Sequence, residues 1–164
     1  GLLKPDQCPL IPTPFQICRR NGGYALPTKL PPKGQVTIIV GHRDAHTFLI
    51  LLDSAGNMTF FRGGPTDEFF PSLKVEIGKY GKGAEPYMPK ITTYNSLGNT
   101  KEKAANSKLK KLMDRLNKAG HSYGTGTDNC NSTSCLGIEA LGKNVPSKPV
   151  PSLKRSTPGW GASN

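Results

Sequence analysis

The chain has 164 residues, a formal net charge of +11, and 19 glycines and 15 prolines against an apolar content of 35%. Its length suits one domain with a core of its own. The composition fits a loop-rich globular protein with loosely organised ends better than a disordered chain. No apolar run approaches the length of a membrane-spanning helix. The first residue is Gly1 rather than Met, so a piece of a longer protein is expected.

The charge is unevenly distributed. Residues 101–118 hold seven basic and two acidic side chains, and residues 143–164 hold four basic and no acidic ones. A solvated helix face and a basic tail would account for this. So would attraction to an anionic partner such as phospholipid, a bacterial envelope, nucleic acid or an acidic protein. Aromatic residues are not interleaved with the basic ones, so a base-stacking surface is not indicated and no nucleic acid partner is expected.

In chain order, residues 1–34 hold seven prolines and read as a linker or wrapping segment. Cys8 and Cys18 lie in it, and a disulfide between them would staple a region with little to pack, which suits an oxidising destination. The β-branched run from Gly34 to Gly41 predicts a buried strand. "HTFLILLD" from His46 to Asp53 predicts a second, and "MTFFRG" from Met58 to Gly63 a third. The turn-rich "DSAGN" between the last two makes a hairpin. Weaker strand patterns cover Leu73 to Tyr80 and Lys90 to Asn95.

The spacing of Ala105, Leu109, Leu112, Met113, Leu116 and Ala119 predicts a long amphipathic helix. Asn99 is expected to cap it, with Glu102 three residues on and Gly120 ending it. A second helix is predicted from Cys130, capped by Asp128 or Asn129, with Cys135, Ile138 and Leu141 on one face and Gly142 as its stop. The remainder, residues 143–164, is a basic, loop-like tail whose Trp160 is expected to return to the body. The fold class expected is α+β, an antiparallel sheet against a long basic helix and a Cys-bearing helix. Residues 35–142 form the core.

The chemistry concentrates in "TDNCNSTS", Thr127 to Ser134. A thiol at the first position of a helix meets a favourable dipole and free backbone N–H groups, which stabilise a thiolate and can receive an oxyanion. Asn129 and Asn131 flank it as cap and oxyanion candidates. A nucleophilic thiol needs a base. Of the three histidines, His42 sits in a Gly-flanked turn, His121 follows the long helix, and His46 opens a rigid strand. His46 is therefore the expected base. The competing reading of Cys130 is a disulfide with Cys135 or a buried thiol. Cys130 and Cys135 lack the spacing of a zinc site. In "GHRDAH", His42, Asp44 and His46 would share a face of a strand and could hold a metal. A turn at Arg43-Asp44 would scatter them, so no metal and no cofactor are expected.

"AHTFLILLDSAGNMTFFRGGP", followed much later by "TDNCNSTS", resembles the circularly permuted papain-like hydrolases, among them the NlpC-type peptidases and the lecithin–retinol acyltransferase-like and PPPDE families. In these a His at the start of a strand precedes an "NC" motif opening a helix. The resemblance implies a cysteine hydrolase or acyltransferase with Cys130 as nucleophile and His46 as base. It also implies a third polar group on the strand after His46, for which Thr59 is the candidate. The aromatic usually found shortly after the Cys is replaced here by Ser and Thr, which bears on the substrate class. The layout is similar to a toxin or effector domain of a bacterial secretion system. The expected substrate is then an ester or amide in an anionic membrane or cell envelope, a phospholipid acyl ester first and a peptidoglycan or protein amide next. Secretion or delivery to a target cell, for instance to its periplasm, and a neutralising immunity protein belong to the same expectation. A basic nuclease and a non-catalytic binding domain are the alternatives from other classes.

Overall fold

The computed structural model describes residues 29–80 and 94–161. Cys8, Cys18, most of the proline-rich segment and residues 90–93 of the last strand pattern lie outside the described residues.

Five strands form one antiparallel sheet. They are β1 (Gln35–Arg43), β2 (His46–Asp53), β3 (Met58–Pro65), β4 (Leu73–Lys79) and β5 (Tyr94–Lys101), in the order β4-β3-β2-β1-β5. Two helices follow, α1 (Glu102–Ala119) and α2 (Cys130–Ala140). The molecule is thus α+β, with strands first and helices after them, as the periodicities predict.

Local chemistry sets the two inner turns. β1 and β2 pair from Val36 opposite Asp53 down to Arg43 opposite His46, leaving Asp44 and Ala45 as a two-residue turn. Asp44 takes φ 52°, a left-handed conformation that a short polar side chain tolerates. Between β2 and β3, Asp53 Oδ1 accepts the N–H groups of Ala55 (2.9 Å) and Asn57 (2.8 Å) and so closes the turn internally.

Alternation in the strands yields two apolar faces. Val36, Ile38, Val40, Leu49, Leu51, Phe61, Leu73 and Val75 meet Ala105, Leu109, Leu112 and Leu116 of α1 and Ile138 of α2. Ile39, Phe48, Ile50, Leu52, Met58, Phe60 and Tyr80 form a second cluster on the opposite parity. The helix face expected from spacing is therefore the buried one, except that Ala119 is exposed and Met113 only partly buried.

The start of α1 differs from expectation. Asn99 does not cap it. It lies in β5, where Oδ1 accepts from Thr37 Oγ1 at 2.7 Å. The N-cap is Lys101, which makes no side-chain cap, and the Glu102 N–H reaches back to Gly34 O at 3.0 Å. The reason is that "YNSLGNTK" pairs with β1 through its backbone as an edge strand, with a register shift at Thr37/Ile39 and Gly98 at φ 86°. A half-exposed, bulged edge carries no alternation to read. Gly120 does end α1, at φ 64°. At the far edge of the sheet, the Asn117 side chain of α1 pairs with both backbone groups of Val75, accepting at 2.7 Å and donating at 3.0 Å.

α2 lies close on the sheet because Gly137 faces it. A Cβ there would come within 2.8 Å of both Leu49 Cδ1 and Phe61 Cε1. Gly137→Ala is expected to lower stability by about 1–3 kcal/mol through overpacking. Glu139→Ala, on the exposed side of the same helix, should stay within about 0.5 kcal/mol. Urea denaturation of the two variants checks this.

Candidate active site

The "NCN" sequence is explained by its hydrogen bonds. Asn129 is the N-cap of α2, and its Oδ1 accepts from the N–H groups of Asn131 (2.9 Å) and Ser132 (3.0 Å). Ser132 Oγ accepts in return from the Asn129 N–H at 2.9 Å, completing a capping box. Asn129 Nδ2 donates to Thr125 O and Pro158 O, both at 3.1 Å.

Asn131 points the other way, into the turn between β1 and β2. Its Oδ1 accepts the Thr47 N–H (3.0 Å) and the Thr47 hydroxyl (2.8 Å). Its Nδ2 donates to Ala45 O (2.8 Å) and Pro158 O (2.9 Å). Each amide thus uses two donors and two acceptors, the full capacity of the group. Thr47 Oγ1 also lies 3.0 Å from Ser134 Oγ, which donates to Cys130 O at 3.0 Å.

The result is that the backbone on both sides of His46 is bonded to the residue after Cys130. His46 Nδ1 then stands 3.3 Å from Cys130 Sγ, across 84 positions of sequence. The thiol and imidazole expected from sequence are brought together. The turn at Asp44-Ala45 puts His42 on β1 and His46 on β2. Among the described residues no three His, Cys, Asp or Glu side chains cluster to hold a metal.

Two expectations need correction. Thr59 is remote. It is exposed, pairs with Leu51 and Lys79, and lines a hollow with Ile77, Leu109 and Met113. Its partner Leu51 is five residues from His46 along β2, about 16 Å of strand. A position early in a returning strand lies opposite the end of the preceding one, so it cannot meet a residue at that strand's start. The head of α2 also offers fewer free N–H groups than expected. Those of Asn131 and Ser132 are taken by Asn129, and that of Thr133 bonds Asn129 O at 3.0 Å. Asn131 is a clamp and has no bonding capacity left for an oxyanion.

The Cys130 N–H remains, beside a residue that sequence reading passed over. Tyr123 lines the same cleft, and its ionisation depends on that of Cys130. Burial, reinforced by the negative charge a Cys130 thiolate would carry, pushes the Tyr123 phenol from 10.0 up to about 12. Tyr123 is held from behind by its N–H, which donates to Pro71 O at 2.9 Å. Its only signal in sequence is a place seven residues before the Cys in a glycine-rich run.

Cys130, His46 and Tyr123 share a cleft of about 370 Å³ with Arg43, Arg62, Phe48 and Pro65. Cys135 is apart from it. Its sulfur accepts the Gly161 N–H at 3.3 Å, and both it and Cys130 are free thiols rather than a disulfide.

The tail completes the site. Pro158 O is the shared acceptor of both asparagines. Gly159 turns at φ 91°, where a Cβ would come within 2.5 Å of Asn129 Oδ1. Trp160 returns to the body as expected, donating from Nε1 to Pro146 O at 2.8 Å.

No protein-family model matches the chain, and neither curated proteins nor solved structures include a match.

Asn131→Ala leaves the buried Thr47 N–H without its acceptor and removes one donor each from Ala45 O and from Pro158 O, which keeps Asn129 Nδ2. We expect a loss of roughly 3 kcal/mol and slower alkylation of Cys130 by iodoacetamide, read by denaturation and peptide mapping.

A pH effect follows from Cys135. Burial raises its thiol from 9.0 to about 11, against a lowering by the Gly161 N–H. The unfolded chain releases this proton first, so stability falls as pH rises from 9 towards 11. Cys135→Ala should flatten that window in alkaline denaturation. The slope that persists above pH 10 belongs to Tyr123 and Tyr94, whose folded values burial also raises.

Proposed function

We propose that the chain is a thiol-dependent acyl hydrolase or acyltransferase of the circularly permuted papain-like kind. The observation that supports it most is the 3.3 Å approach of His46 Nδ1 to Cys130 Sγ at the head of α2, inside a cleft. The His-before-Cys order along the chain fits the permuted arrangement.

In this reading His46 takes the thiol proton as Cys130 Sγ attacks a carbonyl carbon. The carbonyl π pair moves to oxygen, and the tetrahedral oxyanion accepts from the Cys130 N–H and the Tyr123 hydroxyl. Tyr123 suits this role because a phenol pushed up to about 12 stays protonated at neutral pH. Collapse breaks the bond to the leaving oxygen or nitrogen, which receives the proton from His46. The resulting thioester is attacked by water or an acceptor hydroxyl, again with His46 as base, and Cys130 is regenerated. Asn131 fixes the backbone on both sides of His46, and the ring is directed by its contact with Cys130 Sγ.

Arg43 and Arg62 in the cleft wall favour a substrate with a negative group near the scissile bond. A phospholipid acyl ester fits first, and a peptidoglycan or protein amide with a nearby carboxylate is the second reading. Delivery to a target cell, with an immunity protein to neutralise the chain, goes with this proposal.

Cys130→Ala and His46→Ala should each lower hydrolysis by orders of magnitude, and the double variant should be little worse, because the two act as one unit. Tyr123→Phe should cost roughly a hundredfold in kcat. Lipid and muropeptide profiles of target cells exposed to wild type and to Cys130→Ala identify the bond cut. A fully active His46→Ala protein would remove the reading.

A further inference from the structure

We propose that the loop between β3 and β4, tipped by Phe69 and Phe70, inserts into a lipid interface and sets the cleft mouth against the bilayer. The two rings are 91% and 83% exposed and form a T-shaped pair with centroids 4.9 Å apart. Adjacent phenylalanines with most of their surface in water are a costly arrangement that marks an interaction site.

The loop is built as a rigid projection. Prolines 65 and 71 bracket it, the Thr66 N–H donates to Ser72 O at 3.0 Å, and the Ser72 N–H donates to Thr66 Oγ1 at 3.0 Å. Its base is fastened to the segment that carries Tyr123. Leu73 N–H meets His121 O at 2.7 Å, and Tyr123 N–H meets Pro71 O at 2.9 Å. Pro65 at one foot of the loop lines the cleft, and so does Tyr123 at the other. Whatever receives the two rings is therefore presented to Cys130.

A lipid surface is favoured over a protein groove by charge. Arg43 and Arg62 stand at the cleft. The last turn of α1 is basic at Lys118, and the neighbouring Asn117 is bonded to β4 at Val75. The whole chain carries +11. Asp67 and Glu68 sit exposed beside the rings and oppose this attraction locally. An apolar tip with an acidic shoulder, on a chain of net positive charge with arginines at its cleft, suits a mixed zwitterionic and anionic membrane.

The choice of lipid rests on the acyl-hydrolase reading, but insertion is measured without turnover. Vesicles of equimolar phosphatidylcholine and phosphatidylglycerol serve as the probe, with Cys130→Ala as the background. Phe69→Ser with Phe70→Ser, both exposed and so harmless to the fold, should weaken partitioning roughly a hundredfold. Phe70→Trp should show blue-shifted emission and quenching by brominated phosphatidylcholine. Asp67→Asn with Glu68→Gln should tighten binding, and salt should weaken it. Equal binding of wild type and the double serine variant, or an unquenched Trp at position 70, overturns the proposal. So does a dimer in sedimentation that the serine variant dissolves, which would make a second copy the occupant. If the rings insert yet wild type leaves lipid esters intact, the anchor stands and the lipid-ester reading falls.

Discussion

The geometry of the cleft depends on one side chain. Asn131 is buried, and its amide holds Ala45 O and the Thr47 N–H at once, so it grips the peptide units on either side of His46. Its own backbone follows Cys130 directly. The backbones that carry the sulfur and the imidazole are therefore joined through a short chain of stiff links. Preorganisation of this kind is what lets a thiol and a base function as a pair. Asn129 does the matching work on the other side of the thiol by fixing the helix head.

Much of this is legible in the sequence. The β2 and β3 patterns, the apolar stripe of α1, the capping residue of α2 and the pairing of His46 with Cys130 all follow from residues whose local chemistry and tertiary role agree. What was illegible is equally specific. β5 pairs by backbone with little apolar alternation, so its sequence looks like a loop and a helix cap. Thr59 is polar and on the strand after His46, but position along a strand decides which end a residue serves, and Thr59 pairs with Leu51. Tyr123 carries no periodic signal, since it sits in an irregular segment whose placement comes from a contact with Pro71.

The two asparagines show why a three-residue motif is informative. Either could be swapped for another polar residue if only helix capping mattered. Their joint requirement is for four bonds each, in two directions, around a common acceptor at Pro158. An acid would lose the donors and a hydroxyl would be too short, so the amide is the one group with the correct valence and reach.

That common acceptor also has a temporal consequence. Pro158 lies 27 residues after Asn131 and 29 after Asn129 along the chain. During synthesis the sheet and both helices emerge before the carbonyl that steadies the two amides. Until that carbonyl arrives, each asparagine lacks a partner, and the helix head and the turn carrying His46 are joined by fewer bonds. The thiol and imidazole thus gain their last shared support late, after the scaffold around them has been made.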